Sequence, residues 1–130
     1  MANLEVDGFT ATTTDWTTTG ATPYIDDYDA WASYITACTE GMTEDEFTFE
    51  DTALVVNPTE VEVQIWCDRQ TSGNDIIEVW MWESIGGWAK VGELEPSTSI
   101  QMTAFTVTSK FNTIAKINEA KMRFIYRRVV

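Results

Sequence analysis

Residues 61–68 read Val61-Glu62-Val63-Gln64-Ile65-Trp66-Cys67-Asp68, and their alternation decides the fold class. Val61, Val63, Ile65 and Cys67 fall on one parity, while Glu62, Gln64, Trp66 and Asp68 fall on the other. A period of two belongs to a strand with one buried face. A one-residue slip would turn Glu62 and Asp68 into the core, so the register is strongly specified.

Working outward, the turn residues Ser72-Gly73-Asn74-Asp75 and a second strand at 76–83 predict a hairpin with 61–68. Gly86-Gly87 marks the next turn, residues 88–94 a strand, 96–99 a loop, 100–108 another alternating strand and 121–129 a closing strand. Upstream, WASYITACT (31–39) and Phe47-Thr48-Phe49 read as strands, and Asn57-Pro58 as a turn. One helical episode interrupts them. Ser109 is a candidate N-cap for KFNTIAKINEAK, whose Phe111, Ile114 and Ile117 recur every three residues and are expected to seal one end of the fold. Many short strands with frequent turn signals predict an all-β, two-sheet, jelly-roll-like β-sandwich with a short helical segment near 109–120.

The chain has 130 residues, enough for one domain with its own core. No linker divides it: 1–20 reads as an N-terminal arm or first strand, and 21–130 as a single sandwich domain. Twenty threonines, dense from Thr10 to Thr22, reinforce the β reading. Leu4, Val6 and Phe9 make the arm apolar enough to need burial, in the chain's own sheet or against a neighbouring subunit.

The net charge of −13 is unevenly spread: residues 1–60 hold thirteen acids and no Lys or Arg, whereas 61–130 hold eight of each sign. Such a field repels nucleic acid and anionic membranes, so neither is an expected partner. Beside simple solubility, it allows the acidic half of one copy to face Lys121, Arg123, Arg127 and Arg128 of another. The opening Met1-Ala2-Asn3-Leu4-Glu5 has neither the basic nor the apolar part of a leader, which predicts synthesis in the cytoplasm. No apolar run approaches the ~20 residues that span a bilayer.

The absence of His excludes Ser–His and Cys–His nucleophile systems and removes the commonest zinc ligand. No glycine-rich phosphate loop occurs, and no cofactor is expected. Asp26, Asp27 and Asp29 form an acidic cluster that invites a calcium reading, but without the spacing of a dedicated calcium loop; solvated loop charge is the simpler account. Cys38 and Cys67 both lie in strand candidates, as buried thiols or as a disulfide. Trp80 and Trp82 share one face of their strand, and Trp66 would join them across the expected hairpin. Three readings of that row stay open: core, partner interface, or a stacking platform for sugar rings.

From about Thr22 the chain resembles jelly-roll modules of archaeal, phage and environmental sequences. The resemblance rests on TPYIDDYDAWASYI, EFTFED, NDIIEVWMW, GWAKVGELEPSTS and VTSKFNTIAKINEAKMRFIY. It is one of strand pattern and turns, and brings no catalytic residues. What it implies is a virion-surface or carbohydrate-binding module. The expectation is therefore a non-catalytic structural protein of a virus particle, a capsid decoration or tail-surface subunit. It would act by multi-copy assembly with itself or with other virion proteins, made in the host cytoplasm and located in the virion. A carbohydrate-binding β-sandwich module is the alternative.

Overall fold

The computed structural model describes residues 6–10, 16–19, 34–37, 46–49, 51–67, 75–99 and 101–128, with backbone only for the first three segments and for Arg128. Nine strands and one helix occur among them. They are β1 (Val6–Thr10), β2 (Trp16–Thr19), β3 (Tyr34–Ala37), β4 (Glu46–Phe49), β5 (Glu62–Cys67), β6 (Asp75–Glu83), β7 (Gly87–Leu94), β8 (Gln101–Thr106), α1 (Ile114–Glu119) and β9 (Lys121–Arg128). The fold is all-β and every strand pairing among the described residues is antiparallel.

Five strands form one sheet in the order β1-β4-β9-β6-β7; β5-β8 and β2-β3 are two-stranded. The pairing from β4 onward is nested: β4 lies beside β9, β5 beside β8 and β6 beside β7. This corrects the expected hairpin between 61–68 and 76–83. β5 pairs with β8, from Glu62 opposite Thr106 to Cys67 opposite Gln101. β6 pairs with β7 and β9. Adjacent alternating strands with turn residues between them also suit a crossing from one sheet to the other, and that is the connection made here.

The β5-β8 ribbon packs on the large sheet through the parity read from the sequence. Val63 and Ile65 are buried, Val61 and Cys67 pack against the core, and Glu62 and Gln64 are exposed; Asp68 lies outside the described residues. The large sheet contributes Phe47, Val79, Met81, Leu94, Met122 and Phe124. Val79 is fully buried, which is worth ~2 kcal/mol by area. The rings of Phe47 and Phe124 meet at 5.3 Å and 59°. Phe105 of β8 lies directly on Gly92 of β7: a Cβ built at Gly92 would stand 2.3 Å from two of its ring atoms.

The helical segment is shorter than expected and is capped elsewhere. Thr113, extended at φ −129°, accepts a hydrogen bond from the Lys116 amide at 3.2 Å, so Thr113 and not Ser109 is the N-cap. Residues 108–110 form a turn in which the amides of Lys110 and Phe111 both donate to the Val107 carbonyl. Phe111 is thus positioned by that turn rather than by the helix, and is buried at 1% exposure. Ile117 packs against the core, while Ile114 is half-buried.

Residues 6–10 take the first of the two placements open to the arm. β1 is an edge strand of its own chain's sheet, with Val6 opposite Phe49 and Phe9 opposite Phe47. Leu4 lies outside the described residues, as do Cys38, Asp26, Asp27 and Asp29.

Candidate interaction surfaces

Trp80 and Trp82 point to the face of the large sheet opposite the core. The 84–86 turn brings Trp88 beside Trp82, since β6 and β7 pair Trp82 with Trp88 and Trp80 with Lys90. On the other flank β9 sets Lys121 opposite Trp82 and Arg123 opposite Trp80. Trp66 does not join this row. It is half-buried on the outward parity of β5, opposite Met102 of β8, on the far side of the core.

The cations use the rings. The Arg123 guanidinium lies 3.9 Å from the Trp88 centroid, and the Lys121 Nζ lies 4.9 Å from that of Trp82. Glu46 binds both cations, at 3.1 Å to Arg123 and 3.8 Å to Lys121. Arg123 Nε is buried with no hydrogen-bond partner among the described residues, so stacking and the Glu46 contact hold the group. Farther along, Arg127 reaches Glu78 and Glu93, both at 3.2 Å, and Lys90 reaches Glu93 at 2.8 Å and Glu78 at 3.8 Å. The Trp80 indole N–H donates to Glu78 at 3.0 Å. The hydrogen bond and charge of Lys90, with Arg127 behind it, hold the Glu93 carboxyl below the usual glutamate range. Three of the cations that sequence reasoning offered to a second copy, Lys121, Arg123 and Arg127, are therefore engaged by acids of their own chain.

A sugar ring stacks on a bare indole face, whereas Trp82 and Trp88 each already carry a cation.

A second surface was not singled out by sequence reasoning. Leu54, Val55, Val56 and Ile85 are exposed, Val55 at 92% and Ile85 at 86%. The loop after β4 and the 84–86 turn after β6 both leave the sheet where Lys121 begins β9, so these residues gather at one end of the molecule. The loop is fastened to α1 from both sides. The Thr52 amide donates to Asn118 Oδ1 at 2.8 Å, and the Ile114 amide donates to Asn57 Oδ1 at 3.1 Å. In the sequence, the run Leu54-Val55-Val56 before Asn57-Pro58 was the available signal.

Among the described residues no cluster of three or more His, Cys, Asp or Glu could hold a metal ion, and no helix is long and apolar enough to cross a membrane. The chain matches no protein-family model, no curated protein and no solved structure, so its function is read from this geometry alone.

Proposed function

We propose that the protein is a non-catalytic structural subunit of a virus particle, a capsid decoration or tail-surface protein that acts by multi-copy assembly. The observation that carries this reading is the apolar end. Val55 and Val56, in a loop tied to α1 by hydrogen bonds, and Ile85, in the 84–86 turn, stand 70–92% exposed, as a contact surface requires. The nested strand pairing is consistent with a jelly-roll winding, an architecture used by capsid and lectin domains alike, and supports the reading to that extent. On the Trp face, Lys121 over Trp82 and Arg123 over Trp88 compete with a sugar for those two rings, which supports the structural role. A carbohydrate-binding module is the reading that gains if a bare ring becomes available there.

Sedimentation velocity of the full chain across concentration and salt tests the proposal. Assembly should strengthen as salt screens the −13 charge, and should weaken in Val55→Ser/Val56→Ser. A chain that stays monomeric throughout, is recruited by no particle protein, and binds a glycan in a Trp82-dependent manner would move the sugar-binding module ahead.

A further inference from the structure

We propose that β8 is a strand-addition edge whose occupant is the β8 of a second copy, giving a two-fold dimer with a continuous four-stranded ribbon. The inference rests on the assembly reading and names one contact within it.

Hydrogen-bond phase supplies the first argument. The Val107 amide donates to the Val61 carbonyl at 2.8 Å, one step beyond the Glu62–Thr106 pair. Bonded and non-bonded pairs alternate along an antiparallel ladder. The main-chain groups of Gln101, Thr103 and Phe105 therefore face β5, and those of Met102, Ala104 and Thr106 face the opposite edge. Among the described strands nothing pairs with that edge. Gln101, Met102, Ala104 and Thr106 are exposed, Met102 at 41%. Phe105 sits on Gly92 of β7, the outermost strand of the large sheet, so the edge lies at the rim of the molecule.

Charge supplies the second argument. A chain of net charge −13 meets its own copy most easily where acids are missing. Gln101-Met102-Thr103-Ala104-Phe105-Thr106 contains no charged residue, no Pro and no Gly, the features that usually block edge pairing. The edge strand of the large sheet beneath it, β7, carries Lys90 and Glu93 and is bulged at Val91, between the Val79–Gly92 and Trp80–Lys90 pairs.

Register supplies the third. With the two-fold at Ala104, Ala104 faces Ala104 of the second copy, and Met102 faces Thr106. Each of these residues points its main-chain groups across the junction, and each pair exchanges both N–H···O bonds. The nearest ribbon acid, Glu62, is then three strand spacings across (~14 Å) and four residues along (~14 Å) from its counterpart, about 20 Å away and beyond the ~8–10 Å screening length at ordinary salt.

The test uses the full chain. Ala104→Lys places like charges directly opposite each other across the axis, at an exposed position of the monomer. Sedimentation equilibrium should show the dimer dissociation constant raised more than about tenfold, with an unchanged near-UV circular dichroism spectrum. Ala104→Val should dimerise at least as tightly as wild type. On mild oxidation, Ala104→Cys should yield a disulfide-linked peptide that joins position 104 of one copy to position 104 of the other. Bonded pairs stand ~5.5 Å apart at Cα, within disulfide reach. If the wild type assembles while Ala104→Lys assembles equally well and no such peptide forms, the β8 contact is wrong and the assembly reading stands. If the wild type is monomeric at every concentration and salt, self-pairing through β8 is wrong and the assembly reading loses its main support.

Discussion

Replacing Gly92 by Ala tests how the ribbon sits on the large sheet. An added Cβ would lie 2.3 Å from Phe105 Cδ1 and Cε1 and 3.0 Å from Cζ. Carbon atoms rest at ~3.5–4.0 Å, so the ring must retreat by more than ~1 Å. Phe105 is a rigid ring packed against the core, and it cannot bend away as a lysine end would. Forced repacking of this kind costs ~1–3 kcal/mol. Gly87 is the glycine with positive φ among the described residues, so backbone strain does not enter at Gly92. Alanine also restricts the unfolded chain, which returns ~0.4–1 kcal/mol. The net loss should be ~1–2 kcal/mol, or ~4–8 °C in Tm for a chain of this size. Urea melts of Gly92→Ala, Phe105→Leu and the double variant supply the cycle. Leucine reaches less far across β7, so the double variant should be more stable than the sum of the singles predicts, by at least ~0.5 kcal/mol. A Gly92→Ala protein as stable as wild type, or strictly additive effects, would show that β8 does not lie on β7 in this way.

Phe111→Ala should cost ~3–5 kcal/mol in the same melts, because the ring is 1% exposed within the core; a loss under ~1 kcal/mol would place it at the surface. Thr113→Ala should cost ~1 kcal/mol, and Ser109→Ala much less, since Thr113 holds the cap. Glu93 has a folded pKa below its unfolded one, so its contribution is present above the ordinary glutamate pKa of ~4.3 and fades as pH falls through the folded value. Glu93→Gln should therefore differ from wild type at neutral pH and converge with it in acid; a gap that widens on acidification contradicts the sign.

The buried parity of β5 was legible because period-two alternation is local, and so was the span of β9; the turn read at Gly86-Gly87 lies at 84–86, with Gly87 already in β7. The partner of β5 was not. Val63 and Ile65 specify a face, and nothing in residues 61–83 distinguishes a hairpin from a crossing between sheets. That choice depends on β8, some forty residues later (Glu62 opposite Thr106). The misassigned pairing carried Trp66 to the wrong side of the molecule, while Trp88, placed by the neighbouring turn, could have been found. Ser109 and Thr113 are chemically similar caps, and the Val107 turn that decides between them needs tertiary contacts to form.

The position of β9 bears on how the chain is made. It runs through the middle of the large sheet, between β4 and β6, yet it emerges from the ribosome after every other described strand. Until it does, β4 and β6 lack the neighbour that joins them, and Phe47 waits for Met122 across seventy-five residues of chain (47 to 122). Within that sheet the β6–β7 hairpin, closed by a short turn, is the pairing that can form early. Closing the longer loops costs more entropy, and their contacts form late. The nascent chain therefore carries an unfinished sheet until β9 has been made. Residues 1–60, with thirteen acids and no Lys or Arg, precede β5 to β9 in the chain, and like charge of that kind opposes contact between copies while those edges are open.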